Sequence, residues 1–151
     1  MLRFLILALT VVSLSGCTDT SYDDSTVIQR GLSRVYHDDG RTILAEDQYY
    51  NSGFTATSTF RLDISVNVQS GPSIDVIVLD ELNFNQFRDG NGYVHFSGCG
   101  GVAAQAYQRS CTLGADTYYI VIDNSDRGDA SPPWNGIDDG ADVTWDFAAY
   151  A

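Results

Sequence analysis

The sequence predicts an all-β protein, an antiparallel β-sandwich or barrel of about eight strands. Three observations support this prediction. Apolar and polar side chains alternate along several short segments, no segment keeps an apolar repeat of 3.6 residues, and the chain contains 14 glycines. Alternation puts every second side chain on the same face of a sheet, so one face enters the core and the other meets water. Short strands separated by turn residues are typical of sandwiches and barrels.

The clearest strand is predicted over residues 58–69, where every second side chain from Phe60 to Val68 is apolar. A turn at Gly71 and Pro72 follows it. The segments 74–79 and 118–122 have more continuous apolar runs, which are expected nearer the centre of a sheet. The stretch Glu81–Arg88 favours a short helical turn or a loop. In chain order, the remaining strands are predicted at residues 28–36, 42–45, 74–79, 93–97, 102–107, 118–122 and 143–147.

The first residues resemble an export signal. Arg3 gives the start a positive charge, and an apolar run of about eleven residues, 4–14, follows it. That run is too short to span a hydrocarbon core, which needs roughly 20 residues. It ends in Leu14-Ser15-Gly16-Cys17, which resembles the lipobox of bacterial lipoproteins. The resemblance implies cleavage before Cys17 and lipidation of its thiol; an ordinary secretory signal with a chance cysteine is the alternative.

The expected organisation is therefore a lipoprotein signal peptide at 1–16, a lipidated polar tether at 17–26, and a β-sandwich domain at 27–151. The membrane would be contacted through the N-terminal lipid, since acyl chains bind bilayers by about 0.8 kcal/mol for each buried CH₂. The protein is predicted to be exported and anchored to the bacterial cell membrane or the outer membrane.

The charge of the chain excludes one class of partner. All eight basic residues are arginine, and the formal net charge is -12. An acidic surface repels phosphate backbones, so nucleic acid is not an expected partner.

Two cysteines remain once Cys17 carries lipid. Cys99 and Cys111 form an even pair in a compartment that permits disulfides, and a disulfide between them is predicted. Metal binding is the competing interpretation, but the pair lacks a CxxC spacing, and His37 and His95 do not complete a ligand pattern around it.

Two further stretches, the strand and loop at 74–87 and the turn and strand at 113–124, form a pattern of their own. This pattern resembles the bacterial pre-peptidase C-terminal (PPC) domain and, more distantly, the Golgi-dynamics (GOLD) type of sandwich. Gly114 and Asp116 stand where the family has Pro and Gly. The resemblance, over roughly residues 61–147, implies a jelly-roll-like antiparallel β-sandwich that serves as a non-catalytic accessory or interaction module.

Candidate catalytic groups are few. The sequence has no nucleophile elbow, HExxH motif, P-loop or dinucleotide fingerprint. His37 and His95 are candidate general bases, although a surface histidine at a strand end is the alternative for each. Trp134 or Tyr50 is a candidate aromatic platform for a sugar, with packing as the alternative.

Two acidic loops suggest a calcium site. Asp123, Asp126 and Asp129 follow one predicted strand, and the segment 138–142 precedes the next. Ca²⁺ prefers several carboxylate oxygens in a flexible geometry. Arg127 replaces a ligand of an EF-type loop, and Asp and Gly are also ordinary turn formers. Residues 127–129 also form the tripeptide Arg-Gly-Asp, which we interpret as a chance match.

The sequence thus predicts a non-catalytic, lipid-anchored envelope protein, an interaction or structural module whose partner is an envelope protein or a glycan. A calcium-dependent carbohydrate-binding module is one alternative. An envelope enzyme with an unrecognised loop-borne site is the other.

Overall fold

The computed structural model describes residues 31–133 and 135–151. The predicted signal peptide, Cys17, the tether 17–26 and Trp134 lie outside the described residues. None of the helices in the described ranges is long and apolar enough to cross a membrane. The elements are β1 (Arg34–Leu44), β2 (Gln48–Ala56), β3 (Phe60–Ser70), β4 (Ile74–Asp80), α1 (Glu81–Arg88), β5 (Gly101–Ala104), β6 (Ala106–Leu113), β7 (Asp116–Asn124) and β8 (Ala141–Tyr150).

The strands form two four-stranded antiparallel sheets. Sheet A has the order β1-β8-β3-β6, and sheet B has the order β2-β7-β4-β5. Strand β1 therefore pairs with β8, β2 with β7, β3 with β6 and β4 with β5. This nesting is that of a long hairpin wrapped into two sheets, which is the jelly roll. The predicted eight-stranded, all-β sandwich is confirmed.

The core lies between the sheets and follows the predicted alternation. Phe60, Leu62, Ile64 and Val66 on β3 are all at most 2% exposed, while Val68 is partly buried near the strand end. Their partners across the core include the buried side chains of β7. Because a shift of one residue would expose this apolar set, the core sets the register of β3.

Helix α1 covers the outer face of sheet B. Its N-cap is Asp80, whose carboxylate accepts a hydrogen bond from the Asn83 N–H at 2.8 Å. Phe84 and Phe87 are buried against Val121 and its neighbours, forming a second, smaller core. Of the two predicted alternatives for Glu81–Arg88, a short helical turn or a loop, the structure shows a helix. The central strands β4 and β7 of sheet B are consequently covered on both faces, which explains their continuous apolar runs.

Four strand predictions were wrong in detail. Residues 28–36 and 42–45 were predicted as two strands; residues 28–30 lie outside the described residues, and one continuous strand, β1, runs across the rest of both regions from Arg34 to Leu44. Strand β2 was not predicted at all. Residues 93–97 are irregular, although Phe96 N–H donates to Val78 O at 2.9 Å. The predicted strand 102–107 is two strands, which separate at Gln105: β5 belongs to sheet B and β6 to sheet A. The positive φ of 48° at Ala103 accompanies an irregularity in the pairing of β5 with β4.

Candidate functional site

Two carboxylates meet on the outer face of sheet B, beyond the end of helix α1. Asp75 on β4 lies directly opposite Asp123 on β7, and both are completely buried. The alternation of each strand points these side chains away from the sandwich core, and loop 125–130 covers them. Two buried carboxylates side by side are costly unless other groups compensate them, so the contacts of each one decide what the pair can do.

Asp75 organises the loops around it. Its Oδ1 accepts the Ala103 N–H at 2.7 Å, and its Oδ2 accepts the N–H groups of Asp129 and Ala130. Three backbone donors on one carboxylate are a strong set of charge-assisted hydrogen bonds. Asp75 was not singled out in the sequence, although a lone carboxylate in an apolar strand was a signal that could have found it.

Asp123 is less well compensated. Its Oδ1 accepts the N–H and the hydroxyl of Ser125, at 3.1 and 2.6 Å, whereas its buried Oδ2 has no hydrogen-bond partner among the described residues. Burial raises the pKa of Asp123 to about 6, and the charge of Asp75 adds to the effect while the Ser125 hydrogen bonds oppose it. The carboxyl therefore takes up a proton more readily than an exposed aspartate does.

Gly128 lies against the two carboxylates. A Cβ at this position would lie 2.0 Å from Asp75 Oδ2 and 3.1 Å from Asp123 Oδ2. Any side chain larger than a hydrogen would therefore force the loop away. The backbone of Gly128 therefore fills the space beside Asp75 Oδ2 and Asp123 Oδ2.

The three predicted calcium ligands are not equivalent. Asp123 is buried, whereas Asp126 and Asp129 are exposed to solvent. Across residues 31–133 and 135–151, no three His, Cys, Asp or Glu side chains are grouped so as to hold a metal ion. Calcium binding therefore stays a prediction. The arrangement that the structure does show is the pair of Asp75 and Asp123.

The acidic segment 138–142 is held by hydrogen bonds. Asp138 Oδ1 accepts the Glu46 N–H at 2.7 Å, and Asp142 pairs with the Arg41 guanidinium, whose Nε lies 2.9 Å from its Oδ1. That partner lowers the pKa of Asp142. The buried Asn124 joins the two loops, since its Nδ2 donates to the carbonyl oxygens of Leu44, Ala45 and Asp139.

A cleft of about 540 Å³ opens between the end of α1 and loop 125–130. Tyr93 lines it and donates a hydrogen bond to Arg127 O at 3.3 Å. Burial and then the charges of the nearby aspartates raise the pKa of Tyr93 to about 12. The Arg127 guanidinium lies over the rings of Tyr49 and Phe87, 5.6 and 5.8 Å from their centres. The Arg-Gly-Asp tripeptide is therefore folded against the sandwich.

Tyr50 does not form a sugar platform on the surface. Its ring packs on Trp145 with 4.2 Å between ring centres, and its hydroxyl donates to Asp38 Oδ2 at 2.6 Å. Ser52 donates to the same oxygen. Burial and the bond to Asp38 raise the pKa of Tyr50 to about 12. This polar cluster connects β1 of sheet A to β2 of sheet B, so the interpretation of Tyr50 as packing is correct.

The outer face of sheet A is mostly polar, with the exposed Ile43 at the end of β1, and no described element covers it. Small Ala148 lies at the floor of a groove of about 250 Å³ between taller polar side chains. The strand registers place these side chains in rows across β1, β8, β3 and β6. The groove is lined by Asp63, Ile64, Ser65, Gln108, Arg109, Ser110, Asp146, Ala148 and Tyr150.

The two histidines lie in different places. His37 is on the outer face of sheet A, with Nδ1 3.5 Å from Asp39 and Nε2 3.3 Å from Asp146. His95 lies in the irregular segment after α1, in the surface pocket that Cys99 and Cys111 also line. The structure therefore does not bring the two candidate general bases into one site.

Cys99 and Cys111 form a disulfide, with their Cα atoms 5.4 Å apart. This distance is within the range of protein disulfides, and the predicted bridge is confirmed. It connects the loop before β5 to β6, at the edge of the sandwich.

A scan against protein-family models and a search of curated proteins each found no match to this chain. The resemblances to bacterial lipoproteins and to the PPC domain therefore stay predictions.

Proposed function

We propose that the protein is a non-catalytic, lipid-anchored module of the bacterial cell envelope, and that its β-sandwich binds an envelope macromolecule through the outer face of sheet A. The lipid on Cys17 would hold the domain at the membrane, and the tether 17–26 would leave the sandwich free to reach its partner.

The binding part of the proposal depends on one observation, the difference between the two outer faces of the sandwich. Helix α1 and loop 125–130 cover the centre of the outer face of sheet B, over β4 and the end of β7. The outer face of sheet A carries hydrogen-bonding side chains and a groove floored by Ala148. A rigid sheet can present polar side chains at fixed spacing to a partner, because packing beneath the sheet holds the backbone in place.

The export part is supported by the leader and by the disulfide. Disulfides persist in oxidising compartments such as the periplasm and the cell surface, and they are rare in the cytosol. The pairing of Cys99 with Cys111 fits a chain that folds after export.

The non-catalytic part is supported by where the perturbed carboxyl lies. Asp123 has the raised pKa that a general acid requires, yet it is completely buried beneath loop 125–130. A general acid must come within hydrogen-bond reach of its substrate. In this conformation Asp123 has no contact with solvent.

Site-specific photo-crosslinking in the intact envelope tests the binding part. A photo-activatable residue would be placed at Ser65 or Gln108 in the groove, and at Glu81 on α1 as the control on the opposite sheet. We expect adducts of defined mass from the groove positions and none from Glu81. Adducts from Glu81 alone, or from no position, would refute the proposed binding face.

Metabolic labelling tests the anchor separately. The wild-type chain should incorporate an alkyne fatty acid, and Cys17→Ser should incorporate none and keep its leader. Label in the Cys17→Ser variant would show that the lipobox interpretation is wrong.

A further inference from the structure

Asparagine precedes glycine at two places in the chain, Asn91-Gly92 and Asn135-Gly136. Asparagine is a thermolabile residue, because the peptide nitrogen of the next residue can attack its side-chain amide carbon. A following glycine favours this attack, since it has no Cβ to obstruct the approach. All four residues are exposed, so exposure does not distinguish the two sites, and the hydrogen bonds of each amide decide how freely it can react.

The side-chain amide of Asn135 is held at both ends. Its Nδ2 donates to Asp139 Oδ2 at 2.8 Å, and its Oδ1 accepts the Ile137 N–H at 2.7 Å. The first bond is made to a carboxylate, and the second closes a local turn of the kind that asparagine side chains form. Rotation of the amide towards the Gly136 nitrogen would break the bond to Asp139, and so would the departure of Nδ2 as ammonia.

The side-chain amide of Asn91 is free by comparison. Neither this amide nor the peptide N–H of Gly92 has a hydrogen bond to any part of the chain that the structure describes. The Asn91 main-chain N–H donates to Gln86 O at 2.9 Å, in the turn with which Gly90 ends α1. A Cβ at Gly92 would meet no atom within 4 Å, so the backbone has room to move. The amide carbon can therefore turn towards the Gly92 nitrogen without breaking a hydrogen bond.

We propose that Asn91-Gly92 is a self-modification site, at which Asn91 is converted to aspartate and isoaspartate while Asn135 is protected. The Gly92 nitrogen gives up its proton to water and forms a bond to Asn91 Cγ, the Cγ–Nδ2 bond breaks, and Nδ2 leaves as ammonia. Water then opens the cyclic imide at either of its two carbonyl groups. Opening at one carbonyl gives aspartate, and opening at the other gives isoaspartate, in which the main chain runs through Cγ. Water is consumed, ammonia is released, and nothing is oxidised or reduced.

The modification would change the cleft between α1 and loop 125–130. Either product places a new negative charge in this cleft, which Tyr93 and Arg127 also line. Isoaspartate also lengthens the main chain between the end of α1 and Tyr93, which packs against Phe87 with 5.3 Å between ring centres and donates to Arg127 O. Because ammonia is lost, the change persists, and the charge of the cleft depends on the age of the chain. This inference does not depend on the proposed function.

The test follows both sites in the same folded chain. The full-length protein is kept at pH 8 in non-ionic detergent, sampled over time, reduced and cleaved after arginine. This cleavage puts Asn91 in the peptide 89–109 and Asn135 in the peptide 128–151, and neither peptide contains another asparagine. Mass spectrometry detects the replacement of NH by O in each peptide, and labelling by an isoaspartyl methyltransferase detects the isoaspartate.

We expect the peptide 89–109 to convert at least about tenfold faster than the peptide 128–151, which is a difference of roughly 1.4 kcal/mol in the barrier. In urea the fold no longer holds either amide, so the two peptides should convert at similar rates. Equal rates in the folded chain, faster conversion of Asn135, or an unmodified Asn91 would each overturn the inference.

Two variants test the cause of the difference. Gly92→Ala adds a Cβ in open space, so the chain should fold normally and convert Asn91 about tenfold more slowly. Asp139→Ala removes the carboxylate that holds Asn135, so conversion of the peptide 128–151 should become faster while that of 89–109 stays the same. An unchanged rate at Asn91 in Gly92→Ala would show that the Gly92 nitrogen is not the attacking atom. An unchanged rate at Asn135 in Asp139→Ala would show that hydrogen bonding does not select the site, and either result would overturn the inference.

Discussion

Replacing Asp123 with Asn tests how the buried carboxylates affect stability. The Asn Oδ1 can still accept the two hydrogen bonds from Ser125 that Asp123 Oδ1 accepts at 3.1 and 2.6 Å. The Asn Nδ2 takes the place of the unpartnered Oδ2, which lies beside Gly128 as Asp75 Oδ2 does. The substitution therefore resembles the protonated form of Asp123, with an N–H donor in place of a buried negative oxygen.

The direction in which the free energy of unfolding changes with pH follows from the raised pKa of Asp123. The pKa is about 6 in the folded chain and 3.8 for an ordinary aspartate. The folded state then binds more protons than the unfolded state between about pH 4 and pH 6, so this group stabilises the fold at low pH and loses that contribution as pH rises. At 1.36 kcal/mol for each tenfold change in proton affinity, the loss is about 3 kcal/mol.

The expected result is a stability difference that depends on pH. Near pH 4, Asp123→Asn and the wild-type chain should unfold with similar free energies. At pH 8 the variant should be more stable by up to about 3 kcal/mol. Urea unfolding followed by tryptophan fluorescence at pH 4, 6 and 8 measures this, and equal m-values would show that both chains expose the same surface.

Asp75→Asn is the matched control on the neighbouring strand. Asp75 accepts three backbone N–H groups, so its Asn variant would face at least one of these donors with an NH₂ group. It should destabilise the fold by about 2–4 kcal/mol at pH 8, since buried donors lose a charged acceptor. A destabilised Asp123→Asn at pH 8, or a difference that does not change with pH, would refute this explanation of the pair.

Four other changes have defined outcomes. Ile64→Ala should lower the free energy of unfolding by about 2–5 kcal/mol, because it leaves a cavity in the core. Asn67→Ala should change the free energy of unfolding by no more than about 0.5 kcal/mol. Similar losses for both variants would contradict the register of β3. Replacing Cys99 and Cys111 with Ala should lower the free energy of unfolding by about 3 kcal/mol, and no change would mean that the bridge does not restrict the unfolded chain. Asp38→Ala should cost about 1–3 kcal/mol, because the hydroxyl groups of the β1–β2 cluster lose their acceptor; a neutral result would show that this cluster does not hold the two sheets together. Calcium, compared with magnesium and with chelator at matched ionic strength, should raise the melting temperature specifically if the predicted metal site exists, and equal melting in calcium and magnesium would remove that prediction.

Local patterns predicted the elements whose contacts are simple. Alternation identified β3 because one of its faces is core and the other is water. Strand β2 has no such pattern, since Ser52 is buried beside the partly buried Tyr50 and Phe54, and pairing with β7 makes it a strand. Residues 93–97 show the reverse case. Their composition suits a strand, yet Tyr93 packs on Phe87 of the helix and Val94 is 74% exposed.

The sequence by itself predicted the fold class, the cysteine pair and the acidic character of the chain, whereas individual strands such as β2 were missed. These follow from composition and from side-chain period, which act over a few neighbouring residues. Only the tertiary structure decided which carboxylates meet. Asp75 faces Asp123, and Asp39 faces Asp146, because antiparallel register joins strands that are far apart in the chain. The predicted calcium ligands Asp123, Asp126 and Asp129 were chosen for being near one another in sequence, and calcium binding stays a prediction. The structure adds that Asp123 is buried opposite Asp75, a residue 48 positions earlier in the chain, while Asp126 and Asp129 are exposed.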